Sequence, residues 1–200
     1  IFRKIKHAKK NNVNEILEVG CGSGFFLKYA SIYFPKANLT GIEYDYRLHA
    51  IIKKNASKAK IIKQNAEDIS LDCKFDVIVS THVIEHLYNP EKFLSSVWEH
   101  LNDNGVFILT TPNLDSLGHR IHGTNWNGIR DDHVSLMNKQ MLEDKIKMHD
   151  FKIIFSGSSF FSGIKIFRMF PFRIINDLLL VIFGNIRWKY GEALMFVLRK

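Results

Sequence analysis

Cysteine is scarce in this chain of 200 residues: Cys21 and Cys73 are the only two. Two thiols do not make a disulfide framework, so a reducing compartment is expected, with both as free thiols that carry no chemistry. No internal repeat and no low-complexity tract is present, so nothing points to a solenoid or array. A secretory leader, with its apolar core and small-residue cleavage site, is not found at this start. The first residue is Ile1 rather than Met, so an upstream piece is expected. The most apolar stretch, 160–183, lacks the continuity of a membrane-spanning helix. Lys165, Arg168, Arg173 and Asp177 interrupt it and Pro171 divides it. It reads as helical cap elements packed on a sheet. Basic residues beside aromatics also suit an anionic membrane surface, and a hydrophobic contact between copies is the third reading. Acidic residues are the minority charge, 20 against 28 Lys and Arg, for a net charge of +8. That balance favours nucleic acid, phosphorylated sugars or lipid headgroups as partners, or reflects no more than a solvated basic surface. The basic runs lack the interleaved aromatics of a single-strand-binding face.

What is present is a core-forming composition, 46% hydrophobic, in a length suited to one domain with a small cap. Residues 15–26 read Glu-Ile-Leu-Glu-Val-Gly-Cys-Gly-Ser-Gly-Phe-Phe. Ile16, Leu17 and Val19 predict a short buried strand, Gly20, Gly22 and Gly24 a tight turn, and Phe26, Leu27, Ala30, Tyr33 and Phe34 the packing face of a helix that Pro35 ends. Glycines let a ligand approach the backbone closely, and the helix start presents unpaired N–H groups.

The alternation continues. Strands are predicted at 39–42, ending in Glu43, at 61–62, at 75–79 and at 106–109, with helices marked by Leu48, Ile51, Ile52 and Ala56, and by Phe93, Leu94, Val97, Trp98 and Leu101. Asn89 and Pro90 are a helix start signal, and Gly105 stands at a capping distance from that helix's end. An irregular polar stretch runs from Asn113 to Asp132, with Trp126 inside it as a packing residue or a stacking surface. A short helix is predicted near Asn138, then strands at 151–155 and 194–198. The pattern predicts an α/β doubly wound parallel sheet with helices on both faces. Ligands in such sheets sit beyond the carboxyl ends of the strands, and Gly20, Glu43, Asn65, Ser80 and Thr111 all fall there.

On these residues, the glycine turn with Glu18 before it, Glu43 after the second strand and Asn65-Ala66-Glu67-Asp68 after the third, the chain resembles the class I S-adenosylmethionine-dependent methyltransferases. The likeness is close to about Asn113 and looser beyond. It implies a seven-stranded sheet of order 3-2-1-4-5-7-6 with the seventh strand antiparallel, a cofactor-binding half at 1–113, and a substrate-side half at 114–200 with cap segments 114–132 and 160–183. It also implies that a helix near the start lids the cofactor. S-adenosyl-L-methionine is the implied cofactor and S-adenosyl-L-homocysteine its product. Gly20, Cys21 and Gly22 would line its methionine and ribose end, and Gly24 would be a further cofactor-binding residue. Glu18 would face the amino group, Glu43 the ribose diol, and Tyr44 the adenine. Asn65, Ala66 and Glu67 would read the adenine edge, and Ser80, Thr81 and His82 the methionine tail. Asn65 stands where an aspartate is more usual. The G-x-G-x-G spacing, with a carboxylate before the first glycine, argues against a dinucleotide pyrophosphate.

Methyl transfer to a hydroxyl needs a base. Thr-His-Val-Ile-Glu-His-Leu at 81–87 offers His82, Glu85 and His86, and Asp131, Asp132 and His133 approach from the later loop. Three readings stay open: loop capping by Glu85 and His86, a general base at His82, His86 or His133, and a divalent metal on His82, Glu85, His86 and His133. The Val-Ile-Glu-His-Leu run is similar to the metal-binding run of small-RNA 2′-O-methyltransferases, which carry a glutamate where His82 stands. The same Glu-His pair occurs in members without a catalytic metal, including quinone-type O-methyltransferases.

The expected function is methylation of a small molecule in the cytoplasm or at the inner face of the membrane. An oxygen of a sugar, glycolipid, quinone or related metabolite is the expected acceptor, with a peripheral contact to membrane or lipid-linked substrate. RNA methylation is the second reading, weakened by the lack of a nucleic-acid module. A non-catalytic binding or scaffold protein on the same fold is the third.

Overall fold

The computed structural model describes residues 1–9, 13–159 and 190–200. Seven strands form one sheet: β1 (Glu15–Val19), β2 (Asn38–Ile42), β3 (Lys60–Ile62), β4 (Phe75–Thr81), β5 (Leu101–Pro112), β6 (Lys152–Ser159) and β7 (Ala193–Arg199). Their spatial order is β3-β2-β1-β4-β5-β7-β6. The first five pair in parallel, and β7 runs antiparallel between β5 and β6. Strand order reverses between β1 and β4, so their carboxyl ends open a crevice.

One face of the sheet is covered by α1 (Phe2–Lys9), α2 (Phe25–Tyr33) and α3 (His49–Asn55), which bury Ile5, Leu27, Ala30 and Ile52 with Ile16, Val77 and Val79. The other is covered by α4 (Pro90–His100) and α6 (Lys139–Lys147), whose Phe93, Leu94, Val97, Leu142 and Ile146 pack with Leu17, Ile78 and Phe107. Both faces of the central strands are therefore dry, which is why β4 is a continuous β-branched run rather than an alternating one. A side chain buried there, such as Phe93 or Phe107, contributes roughly 2–3 kcal/mol by leaving water.

Local signals behave as expected at several ends. Asn89 caps α4 by accepting from Lys92 N, with Pro90 in the first turn, and Asn138 caps α6 by accepting from Met141 N. Three differences stand out. Gly105 is no helix cap: α4 ends at Leu101, which already opens β5, and the left-handed residue is Asn104, φ 59°. Gly105 instead lets the chain fold over the Asn102 carbonyl, which a Cβ would meet at 2.7 Å. The stretch after Asn113 is partly helical, because Ser116 accepts from His119 N and starts α5 (Leu117–His122). Thirdly, α1 is no lid. Phe2 stacks on Phe26 and Tyr33 at 5.1 and 4.6 Å, and Lys9 pairs with Asp76 at the opposite end of the strands. The expected cap at 160–183 lies outside the described residues. Among the described residues, no helix is long and apolar enough to cross a membrane.

Candidate active site

The turn after β1 spends its first amides on the sheet. Gly20 N and Cys21 N both donate to Ile42 O, at 2.9 and 3.0 Å, and Gly24 N donates to Cys21 O. That pairing needs a left-handed backbone at Gly20, φ 69°, and a Cβ there would stand 2.3 Å from Val83 Cγ2. Glycine is thus demanded by dihedral and by space. Gly22 N is turned elsewhere: it donates to Glu43 Oε2 at 2.8 Å, while Asp45 N donates to Glu43 Oε1 at 2.9 Å. Each oxygen of this carboxylate keeps a second lone pair.

Beside Glu43 lies a cleft of ≈ 470 Å³. Gly20, Gly22, Ile42 and Glu43 form one side of it. Tyr44, Gln64, Asn65 and Ala66 form the second, and Thr81, His82, Val83, His86 and Leu87 the third. Tyr44 is 69% exposed at its rim. Asn65 Oδ1 accepts from Glu67 N at 3.0 Å, which holds the loop after β3.

Several residues expected in contact with a cofactor have other work. Gly24 starts α2 and lies against α3, where a Cβ would meet Ile52 at 3.0 Å; it does not line the cleft. Glu67 Oε1 accepts from Asn89 N at 2.8 Å and ties its loop to the start of α4. Cys21 is buried under the turn, and burial with Glu18 and Glu43 nearby pushes its thiol up to about 12, so it stays protonated. Ser80 is fully buried, with an unpartnered hydroxyl, and leaves the wall to Thr81 and His82.

Glu18 departs furthest from expectation. It is 3% exposed, behind the turn rather than on the cleft wall, and its Oε2 has no partner. Burial pushes its carboxyl up to about 9, and Glu43 adds to the shift. Glu18 is therefore neutral at pH 7 and supplies no charge to a ligand until a cation approaches it. An acid whose pKa is raised on folding binds more protons folded than unfolded. Stability then falls as pH rises from the unfolded value near 4.5 to about 9. Glu18→Gln is expected to flatten that fall in thermal melts between pH 5 and 9. Parallel pH curves for variant and wild type would show that Glu18 is ionised in the folded protein.

The later elements bring a second group of residues to the cleft. His82 follows β4 with a left-handed backbone, φ 55°. Its Nδ1 lies 3.1 Å from Glu85 Oε1, and Thr111 Oγ1 donates to Glu85 Oε2 at 3.0 Å. Glu85 is fully buried, so the two bonds hold it in one orientation. A carboxylate oxygen accepts, so His82 Nδ1 carries the proton and Nε2 keeps the lone pair. His86 lines the cleft, and its ring meets that of His133 edge to face, centroids 4.6 Å apart.

The remaining finding is Glu192, which the sequence analysis passed over. Its carboxylate accepts from Gly118 N at 2.8 Å and from Trp126 Nε1 at 2.7 Å, while Asn113 Nδ2 donates to Gly191 O. These bonds hang the 114–132 loop on the start of β7. Trp126, 4% exposed, is a packing residue. Gln64, Val83 and Leu87 were also missed as cleft residues; only their places next to strand ends could have marked them.

A seven-stranded sheet of this order, with a glycine turn after β1 and a carboxylate closing β2, is the fold of class I S-adenosylmethionine-dependent methyltransferases. The chain belongs to that class: the family described as "Methyltransferase domain" matches residues 2–155. It is similar to malonyl-[acyl-carrier protein] O-methyltransferase of Bacillus cereus, 29% identical over 98 residues, 48% of this chain and 36% of that protein. It is also similar to ubiquinone biosynthesis O-methyltransferase of Rickettsia typhi, 30% identical over 116 residues, 56% of this chain and 47% of that protein. The chain thus spans less than half the length of these curated relatives. Among solved structures, the plantazolicin methyltransferase BpumL, in complex with a triazolic desmethylPZN analog and SAH, aligns with a TM-score of 0.72 at 22% identity, over 100% of this chain and 81% of that one. A methyltransferase of Clostridium acetobutylicum aligns at 0.74 and 14% identity, over 98% of this chain and 88% of that one. At such identities the likeness is one of fold.

Proposed function

We propose that this chain binds S-adenosylmethionine in the cleft and transfers its methyl group to an oxygen of a small-molecule acceptor. The observation that carries the reading is the Glu43 carboxylate, tied by Gly22 N and Asp45 N at the cleft wall with a lone pair spare on each oxygen. A ribose diol presents two hydroxyl donors that suit it. The cleft falls within the range of small-ligand sites, roughly 300–1,000 Å³. Asn65 and Ala66 would meet the adenine edge, with Tyr44 beside the ring, and Thr81 and His82 would meet the methionine tail.

The sulfonium activates the methyl carbon, so this chain's residues need to position the acceptor, exclude water and take its proton. His82 is assigned the proton: its Nε2 is the free lone pair, and Glu85 with Thr111 sets the ring. The loop at 114–132, held by Glu192, would form part of the acceptor side. The O-methyltransferase names of the two curated relatives support an oxygen acceptor and leave its identity open.

Calorimetric titration with S-adenosylmethionine and S-adenosylhomocysteine tests the reading. One site per chain with micromolar affinity is expected, followed by methyl transfer to a member of a panel of hydroxylated metabolites. A folded protein that binds neither would point to a non-catalytic scaffold instead.

A further inference from the structure

Glu192 holds more than the start of the 114–132 loop. The sheet fixes it first: its carbonyl accepts from Asn113 N at 2.9 Å, and the next residue, Ala193, pairs with Pro112 of β5. Its carboxylate then takes two donors from the loop, Gly118 N on Oε1 and Trp126 Nε1 on Oε2. The approach to α5 is possible because residue 118 has no side chain, since a Cβ there would stand 2.6 Å from both oxygens. We infer that Glu192 is a positioning residue: through Trp126 it sets the His133–His86 pair, and with it the place of His86 on the cleft wall.

The contacts run on from Trp126 without a gap. Gly128 lies against the indole, where a Cβ would stand 2.2 Å from the ring. Ile129 N donates to Trp126 O at 2.9 Å and closes a turn around it. Gly128 O accepts from His133 Nδ1 at 2.7 Å. A carbonyl only accepts, so Nδ1 carries the proton and the ring plane is held. His133 stands off the cleft, and its ring meets that of His86 edge to face. His86 is the member of the pair that lines the cleft, and its Nδ1 lies 3.0 Å from Asp132 O, a second carbonyl of the same loop. Both holds on His86 therefore depend on where 128–133 sits.

That segment is fastened at two ends. Ser135 fixes the far end, with its N donating to Glu85 O at 2.9 Å and its Oγ to Leu87 O at 2.7 Å. The near end is Trp126, whose buried N–H is costly to leave without an acceptor. A carboxylate suits the place because two separate donors converge on it, and a charged acceptor strengthens both bonds. His82 is held differently, by Glu85 and Thr111, with no contribution from the loop. The base and the opposite imidazole of the cleft are thus set by independent supports. Changes in the loop would reshape the acceptor's place without moving the base. That consequence rests on the methyl-transfer reading; the holding of His86 by Glu192 does not.

The test is nitrogen-15 NMR of the imidazole rings in histidine-labelled protein, in mildly alkaline buffer where an ordinary imidazole is neutral. In the wild type, His82, His86 and His133 are all expected as the Nδ1–H tautomer. Glu192→Gln offers one oxygen to two donors, so His86 and His133 are expected to become mixtures of tautomers while His82 stays fixed. Trp126→Phe removes the indole N–H and keeps a ring. It is expected to give the same change, and the double variant to add little to either, since both substitutions break one contact. Unchanged His86 and His133 signals in folded Glu192→Gln would overturn the inference. So would an equal change at His82, which marks general loosening, or additive effects of the two substitutions. With an acceptor found by screening, each single variant is expected to lose roughly 10- to 100-fold in kcat/KM for that acceptor, with S-adenosylhomocysteine affinity within a few-fold of wild type. Absence of methyl transfer by the wild type would refute the methyl-transfer reading alone, and the ring signals would still decide the role of Glu192.

Discussion

Glu43→Ala is expected to weaken S-adenosylhomocysteine binding by about 100-fold or more. Two charge-assisted hydrogen bonds from a ribose diol contribute about 1.5–3 kcal/mol each when made in a cleft, and each 1.4 kcal/mol is a factor of ten. The loss should exceed that of the ligand contacts alone. Glu43 also accepts from Gly22 N and Asp45 N, so its removal frees the turn and the chain after β2 that shape one wall. Glu43→Gln separates the two effects, because its amide oxygen can retain one of those bonds while the charge is gone. Its affinity should fall between wild type and the alanine variant, with a melting temperature close to wild type. Calorimetry with matched thermal melts makes the measurement. An alanine variant that is folded and binds within a few-fold of wild type would remove Glu43 from the ribose and, with it, the observation on which the functional reading stands.

The second large effect concerns the proton. His82→Asn is expected to lower kcat by about 100- to 1,000-fold, the range usual for losing a positioned base, with cofactor affinity changed only a few-fold. Asparagine is chosen because the backbone at 82 is left-handed, and asparagine tolerates that region where most side chains are strained. Glu85→Gln tests the positioning half. A glutamine has one oxygen to offer where Glu85 meets both His82 Nδ1–H and Thr111 O–H, so one of the two donors is left without an acceptor. Turnover should drop about tenfold or more at unchanged KM for the cofactor, since the ring is then free to take other orientations. Steady-state kinetics with an acceptor found by screening decides it. Full turnover in folded His82→Asn would transfer the base to another group, with His86, the other histidine lining the cleft among the described residues, the next candidate.

The residues around the glycine turn were legible to differing depth. Glu43 could be read because a carboxylate closing one apolar run and a glycine turn closing the run before it have only one place to go in a parallel sheet. Register then brings them together: Val19 pairs with Ile42, and the next residues of each strand meet. Glu18 was read in the right motif and the wrong state. Its register partner on β4, Val79, packs in the layer under α1, α2 and α3, and burial there decides its charge. Gly24 looked like a ligand glycine because it shares a turn with two others, but its missing side chain makes room for α3.

The 114–132 loop and its anchor were less legible. Nothing local marks Glu192 as the anchor of Trp126, since the two are 66 residues apart and meet only because β7 inserts beside β5. Gly105 misled because a glycine after a helix is usually its cap, whereas here the chain goes straight from α4 into β5.

By itself, the sequence determined most of the strands and helices, that the first five strands lie parallel with both faces covered, and that polar residues gather at their carboxyl ends. Hydrophobic period, helix caps and glycine dihedrals act over a few residues and are written locally. Only the tertiary structure decided which carboxylate reaches the cleft and which is buried behind the turn, which nitrogen of each histidine keeps a lone pair, and that Glu85 stands between His82, Thr111 and the His86–His133 pair. Those properties depend on solvent exclusion and on hydrogen-bond partners from distant segments, and neither exists until the sheet and its two helical layers have closed.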